Sequence, residues 1–329
     1  MKISVLLSFC ALLPACGRYA DFSLPAPSTD GPRGPFFWQA ASDPVLSPGA
    51  GGEWDSVDVL NPSVIRFHGE YWNFYSGYDG RTWSTGAAVS DDGVAWRKKG
   101  RVLSPAGWEG SYIAANGSAL MVANEILYWY VAGDPHQIAL ARSSDGMTWV
   151  KSKGPVVGLG PRGSFDERAV ADPYVIREGN RFYLFYLGMD RAQRQSIGMA
   201  QSSDGIQWVK LRANPILEPG SRGSFDEAGL GEPAVWSSAG LWWMLYTGRD
   251  IREERGIGLA KSSDGVHWER ATELALIRGN EPWSSKVICD PSVEISATVV
   301  RVWFGGGDVA SPDQNLHGRI GLGMLRTQK

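Results

Sequence analysis

The chain of 329 residues carries only three cysteines and four histidines. Cys10 and Cys16 fall within the first sixteen residues and Cys289 stands alone, which excludes a disulfide framework and a cysteine-based metal cage. Charge is not concentrated either: 32 Lys+Arg against 35 Asp+Glu leave a net −3, mixed along the sequence. That mixing excludes the basic stripe needed for nucleic acid and the like-charge runs of disordered tails. Beyond the N-terminus, no apolar run is long enough to span a bilayer. What is plentiful is glycine, 41 residues, and tryptophan, 15. That composition suits many short strands, tight turns and aromatic surfaces.

The first residues, "MKISVLLSFCALLPAC", have the form of an export signal: Lys2, an apolar run, then small residues. "LPAC" resembles a bacterial lipobox with Cys16 as the lipidated first residue of the mature chain. Pro14 is unusual in such a box, and ordinary signal-peptidase cleavage is the alternative. Gly17, rather than Asp, follows the cysteine, which by resemblance to Gram-negative lipoproteins favours the outer membrane. Residues 17–33 are rich in Pro, Gly and Ser and are expected to form a flexible linker to a folded region at 34–329. The protein is thus expected to be an exported monomeric lipoprotein facing the periplasm or cell surface, touching a membrane only through its anchor.

Internal repetition dominates the rest. The phrase Ser-x-Asp-Gly-x-x-Trp occurs at 90–96, 143–149, 202–208 and 262–268, each time after a strand of small residues. A fifth such strand, "RIGLGML" (319–325), ends without the phrase. Upstream of these, Asn61, Asn116, Asp172, Glu232 and Asp290 open strands 55, 56, 60 and 58 residues apart. Each unit reads as four strands, and the aromatic second strand ("FYLFYLG", "LWWMLYTG") is apolar on both faces, as in a covered sheet. Four-stranded antiparallel units repeated radially are the blades of a β-propeller. The fifth unit lacks an outer strand, while residues 36–49 have no unit of their own and resemble 206–220. The expected fold is all-β: a five-bladed β-propeller whose N-terminal strand completes blade five.

In a four-strand meander the start of strand one and the end of strand two share one face. Asn61, Asn116, Asp172, Glu232 and Asp290 should therefore ring the mouth of a central channel. The loops after the second strands add Asp79, Asp134, Asp190, Asp250 and Asp308, with Arg81, His136, Arg191, Arg194, Arg252, Arg255 and His317 around them. The Asp-Gly turns fall on the opposite face as turn chemistry, and Trp54, Trp108, Phe165, Phe225 and Trp283 recur as packing residues. Crowding Asp172, Glu232 and Asp290 together should raise at least one pKa, as a general acid at neutral pH requires.

With the motifs "ADP" (171–173) and "GEP" (231–233) in these slots, the chain beyond residue 34 resembles the five-bladed glycosidases of glycoside hydrolase families 43 and 32. The resemblance implies a carbohydrate substrate, with Glu232 as general acid and Asp172 as the orienting, pKa-tuning carboxylate. Asn61, Asn116, Asp79, Arg81, His136, Asp190, Arg191, Asp250 and Arg252, by their expected place at the mouth, are the candidate substrate contacts. The family's base or nucleophile falls on Asn61, an amide, which can neither take a proton from water nor attack a sugar. Three readings follow: Asp290 substitutes as base (Asp58 pointing elsewhere); phosphate attacks, as in the similar mannoside phosphorylases; or the propeller binds glycans without catalysis. No cofactor is expected. Some related arabinanases hold a cation such as calcium through a channel histidine, but the histidines here have no paired spacing, and His317 reads as a solvated loop residue.

Overall fold

The computed structural model describes residues 19–327, so the expected export signal and Cys16 lie outside the described residues. Two short strands come first, β1 (Tyr19–Ala20) and β2 (Phe36–Ala40). The repeats then fold in sequence order. The first sector contains β3 (Asp58–Phe67), β4 (Glu70–Tyr78), β5 (Trp83–Ser90) and β6 (Arg97–Leu103). The second contains β7 (Ile113–Val122), β8 (Glu125–Ala132), β9 (Gln137–Ser143) and β10 (Val150–Lys151). The third contains β11 (Ala169–Glu178), β12 (Arg181–Met189), β13 (Gln195–Ser202) and β14 (Val209–Leu211). The fourth contains β15 (Gly229–Ser238), β16 (Leu241–Arg249), β17 (Arg255–Ser262) and β18 (Glu269–Arg270). The last contains β19 (Val287–Ile295), β20 (Val299–Gly307) and β21 (Arg319–Thr327), against which β2 pairs antiparallel from Phe36↔Thr327 to Ala40↔Gly323.

Each sector is an antiparallel meander, and the apolar cores lie between adjacent sheets. The second strands supply the bulk: Phe74, Trp129, Phe185, Leu245 and Trp303 are almost completely buried. The first and second sectors also join through two parallel pairs, Trp83↔Ile113 and Ser84↔Ala114. The last sector packs directly on the first, with Val64 N donating to Ser292 Oγ and Trp303 Nε1 donating to Gly93 O.

The Asp-Gly turns are structural, as their residue types suggest. Asp92 Oδ1 accepts the N–H groups of Val94 and Ala95 while Ser90 Oγ accepts that of Gly93, and those backbone bonds lower the Asp92 carboxyl to about 2. The turn glycines of the first three sectors lie against a tryptophan of a neighbouring sector, Trp303, Trp72 and Trp129. The recurrent Trp54, Phe165, Phe225 and Trp283 fill space left by glycines on the second and third strands, such as Gly77 and Gly86 around Trp54.

Two features were not foreseen. First, residues 19–33 are not a loose linker. Tyr19 and Ala20 pair in parallel with Lys210 and Leu211, Leu24 is buried over Gly265 of the fourth turn, and Trp242 Nε1 and Ser238 Oγ donate to the carbonyls of Pro25 and Pro32. The apolar residues of the segment are spaced to meet these surfaces, which composition alone does not reveal. Second, four sectors bury the same acid–tyrosine–base set. Asp166, for example, accepts from Tyr186 Oη at 3.0 Å and from Lys210 Nζ at 2.5 Å. Asp55 does so with Tyr75 and Lys98, Glu109 with Tyr130 and Lys151, and Asp226 with Tyr246 and Arg270. In the last sector all three positions change together, to Ser284, Phe304 and Ala40. A buried charge without partners is expensive, so the set is kept or lost as a whole.

Candidate active site

The five ring residues share one unusual backbone state. Asn61, Asn116, Asp172, Glu232 and Asp290 have φ of 48°, 50°, 47°, 50° and 52°. At each, the pairing of the first strand with the second slips, as between Leu60 and Ser63 or between Gly231 and Ala234. The strands therefore begin before the ring residues, and each ring residue sits on a bulge. The residue that follows is Pro62, Pro173, Pro233 or Pro291 in four sectors, which have no N–H to lose at a ladder gap, and Gly117 in the second. Asn and Asp tolerate the left-handed region through their short side chains, whereas Glu232 has no such excuse. A non-glycine residue held there is the strain that clusters at functional sites.

The bulges also aim backbone N–H groups from one sector to the next. Asp290 N donates to Glu232 Oε2 and to Thr247 Oγ1, both at 3.1 Å. Asn61 N donates to Asp290 Oδ2 at 3.1 Å, and Asn116 N donates to Ser76 Oγ at 2.9 Å. Asn61 thus contributes its backbone to the acid cluster whatever its side chain.

A cavity of about 440 Å³ opens above this ring, with Asn61, Asn116, Asp172, Glu232 and Asp290 at its floor. Its walls include Tyr112, His136, Gln195, Arg249, Arg255 and Asp313. Burial, then the charge of Glu232, pushes the Asp172 carboxyl up to about 8, against the pull of a hydrogen bond from Asn116 and of Arg255. Asp290, only 5% exposed, is raised well above the carboxylate range by burial and by the charge and hydrogen bonding of Glu232. Burial works against the Arg255 charge, but the acidic groups packed around it outweigh burial and keep the guanidinium charged. Burial lowers His136, with Asp313 and Asp134 opposing. Asp172 is therefore protonated at pH 7, a state that donates a proton or hydrogen bond, and Asp290 is pushed in the same direction.

This bears on the missing base. Asp290 lies in the cluster as expected, but it is buried, and its Oδ2 already accepts from Asn61 N and, at 3.1 Å, from Cys289 Sγ, which leaves it poorly placed to take a proton from water. Asp58 points elsewhere, as expected, accepting from Asn315 N at 2.6 Å and Gly318 N at 2.7 Å.

Of the other expected contacts, Asn61, Asn116 and His136 line the cavity. Asp79, Arg81, Asp190, Arg191, Asp250 and Arg252 do not. The loop aspartates are occupied in closing their own turns, Asp79 with Arg81 N and Thr82 N, Asp190 with Arg194, and Asp250 with Arg252 N and Glu254 N. Arg191 pairs with Glu167, and Arg252 reaches Asp250. Short connections leave these side chains nothing nearer to bind than their own neighbours.

Besides Arg255 and His136, which the sequence already placed at the mouth, the cavity takes residues from strand ends and one long loop that the sequence did not reveal. Arg249 Nη1 forks onto Glu253 and its Nη2 donates to Gln195 Oε1 at 3.1 Å. Arg255 donates to the carbonyls of Ser311 and Pro312. The Tyr112 ring stacks parallel to His136, centroids 6.2 Å apart. The discoverable signal was length: residues 308–318 connect β20 to β21, whereas the equivalent connections are 79–82, 133–136, 190–194 and 250–254.

For metal binding, Glu232, Cys289 and Asp290 place one donor atom each within 4.8 Å of one another. The thiol is fully buried, held protonated by burial and by Asp290, and donates to that carboxyl; a cation would have to displace that proton. His317 is not in this group; its Nδ1 lies 2.7 Å from Asp308 Oδ1.

Comparison with known proteins agrees with this geometry. The family described as "Glycosyl hydrolases family 32 N-terminal domain" matches residues 61–213 and, overlapping them, 177–284. An uncharacterized protein of Mycobacterium tuberculosis (strain CDC 1551 / Oshkosh) is 28% identical over 235 residues, 64% of this chain and 75% of its own. A β-1,2-mannobiose phosphorylase from Listeria innocua superposes with a TM-score of 0.70 at 11% identity, over 88% of this chain and 96% of its own. A structure from work on glycoside hydrolase family 130, mannoside phosphorylases that include hydrolases targeting β-1,2-mannosidic linkages in Candida mannan, gives 0.69 at 15% identity, over 93% and 96%. At these identities the likeness is one of fold.

Proposed function

The chain belongs to the glycosyl hydrolases family 32 N-terminal domain family, and on that premise we propose that it cleaves a glycosidic bond of a carbohydrate held in the cavity above the acid ring. The fold is read as a closed five-bladed propeller, supported by the pairing of β2 with β21 and by the Asn61–Asp290 bond between the first and last sectors. Glu232 is assigned the proton delivery to the leaving oxygen, because it is less buried than Asp290 and faces the cavity. Asp290 is its hydrogen-bonding partner at the floor of the cavity. Asp172, neutral at pH 7, donates a hydrogen bond that orients the sugar. The stacked Tyr112–His136 pair offers an aromatic face at the rim.

The observation that carries this reading is the crowding of Asp172, Glu232 and Asp290 from successive sectors, with two of them pushed up by burial. Structural turn acids have no need of such a neighbourhood. The experiment is turnover of a panel of oligosaccharides and alkyl glycosides, whose leaving groups need a proton, by the purified protein and by Glu232→Gln. Loss of turnover with retained glycan affinity supports the assignment; glycan binding with no turnover by either protein supports a non-catalytic binder instead.

A phosphorolytic variant is favoured by one observation, the charged Arg255 in the cavity wall, and by the likeness in fold to the Listeria phosphorylase. It predicts turnover that requires inorganic phosphate. For location, we retain export and lipidation at Cys16, supported by the sequence "LPAC" (13–16); mass spectrometry of the mature N-terminus tests it.

A further inference from the structure

We propose that Asp313, carried by the long loop of the last sector, is the base that activates the attacking water in place of the amide at Asn61. This rests on the reading of the cavity as a glycoside-cleaving site and supplies the partner that such a site lacks.

A base must face the cavity, be reachable by water and be held still. Asp313 is exposed and lines the cavity wall, unlike the buried Asp290. Among the described residues no hydrogen bond or salt bridge occupies its carboxylate. Its charge is felt at Arg255, His136, Tyr112 and Asp172, cavity-lining groups from the second, third and fourth sectors.

The loop around it is fastened on both sides. Before Asp313, Arg255 takes the carbonyls of Ser311 and Pro312. After it, Gln314 Oε1 accepts from Tyr112 Oη at 2.6 Å, and Asp58 holds the N–H groups of Asn315 and Gly318. The buried carboxylate just upstream of the amide slot thus serves to hold the loop that brings a different acid to the site. Long loops on a rigid scaffold are where such groups are usually carried.

In the step proposed, water oxygen bonds to the anomeric carbon as the glycosidic C–O bond breaks. The water proton passes to Asp313, and the leaving oxygen takes its proton from the Glu232–Asp290 pair. Solvent then returns the proton from Asp313 to that pair, and one water is added overall. The product is the anomer of inverted configuration.

The test uses the mature chain with a panel of 2,4-dinitrophenyl pentosides and hexosides, whose leaving group needs no acid. Asp313→Asn is expected to lower kcat at least a hundredfold with KM within threefold, and sodium azide is expected to restore turnover at least tenfold. Glu232→Gln should lose less than tenfold on these substrates. Proton NMR of the wild-type reaction should show the inverted anomer first. Asp313→Asn turnover within threefold of wild type overturns the inference while leaving the cleavage reading intact. So does a wild type that needs phosphate, or one that forms the retained anomer. A wild type inactive on the whole panel, with and without phosphate, overturns both.

Discussion

The backbone N–H of Asn61 and the carboxylate of Asp290 meet at 3.1 Å, joining the first sector to the last at the floor of the cavity. The bond needs a left-handed residue at 61 but nothing from its side chain. Asn61→Gly should therefore keep both φ and the N–H and stay within about 1 kcal/mol of wild type. Asn61→Val should lose about 1–2 kcal/mol, since a β-branched residue resists that conformation. Urea unfolding at pH 7 separates the two, and equal stability would mean that the bulge relaxes freely.

Asp172 gives a pH signature. Its folded value, about 8, lies above the unfolded one, so between roughly pH 4 and pH 8 the unfolded chain has released a proton that the folded chain still holds. Stability tied to this group is complete below pH 4 and is lost as pH rises toward 8. Asp172→Asn keeps the uncharged form at every pH. The variant should therefore gain stability over wild type at pH 7.5, by at least about 1 kcal/mol, one pKa unit being worth about 1.4. The gain should vanish at pH 3.5, and thermal melts across that range provide the check.

Glu232→Gln removes the delivered proton while keeping shape and the hydrogen bond from Asp290 N. Turnover of glycosides with poor leaving groups should fall by about 10²–10⁴, with glycan affinity by calorimetry unchanged. A parallel loss of affinity would move Glu232 from chemistry to binding.

The buried acid–tyrosine–base sets predict a context effect. Lys210→Met leaves Asp166 without its cation and should cost about 3–5 kcal/mol. Replacing all three members with the last sector's residues (Asp166→Ser, Tyr186→Phe, Lys210→Ala) should cost less than that single change, despite removing more contacts. Denaturant titration of both variants decides it; a triple variant weaker than the single one would show that the set contributes attraction beyond satisfying its own charges.

Much of this was written in the sequence because the repeat forces equivalent residues to equivalent places. Once Asn61 and Asp290 are seen as copies of one slot, their convergence follows. The left-handed backbone at that slot was hinted at by Asn, Asp and the following proline, but Glu232 concealed it. Asp313 was illegible because its loop has no counterpart in the other sectors, and only contacts with Arg255, Tyr112 and Asp58 define where it goes. The loop arginines misled for the opposite reason: Arg191 and Arg252 sit in equivalent loops of the third and fourth sectors, yet local acids claim them. Residues 19–33 looked like tether by composition, and only the surfaces they cover show otherwise.

That N-terminal strap has a mechanical consequence. A pull applied at Tyr19 does not reach β2 directly, although β2 is the strand whose removal would unpair the last sheet. It must first shear the parallel pairs with Lys210 and Leu211, then draw Leu24 out from over Gly265, then break the bonds to Pro25 and Pro32. Traction at one end is thereby spread over the third and fourth sectors before it can open the seam.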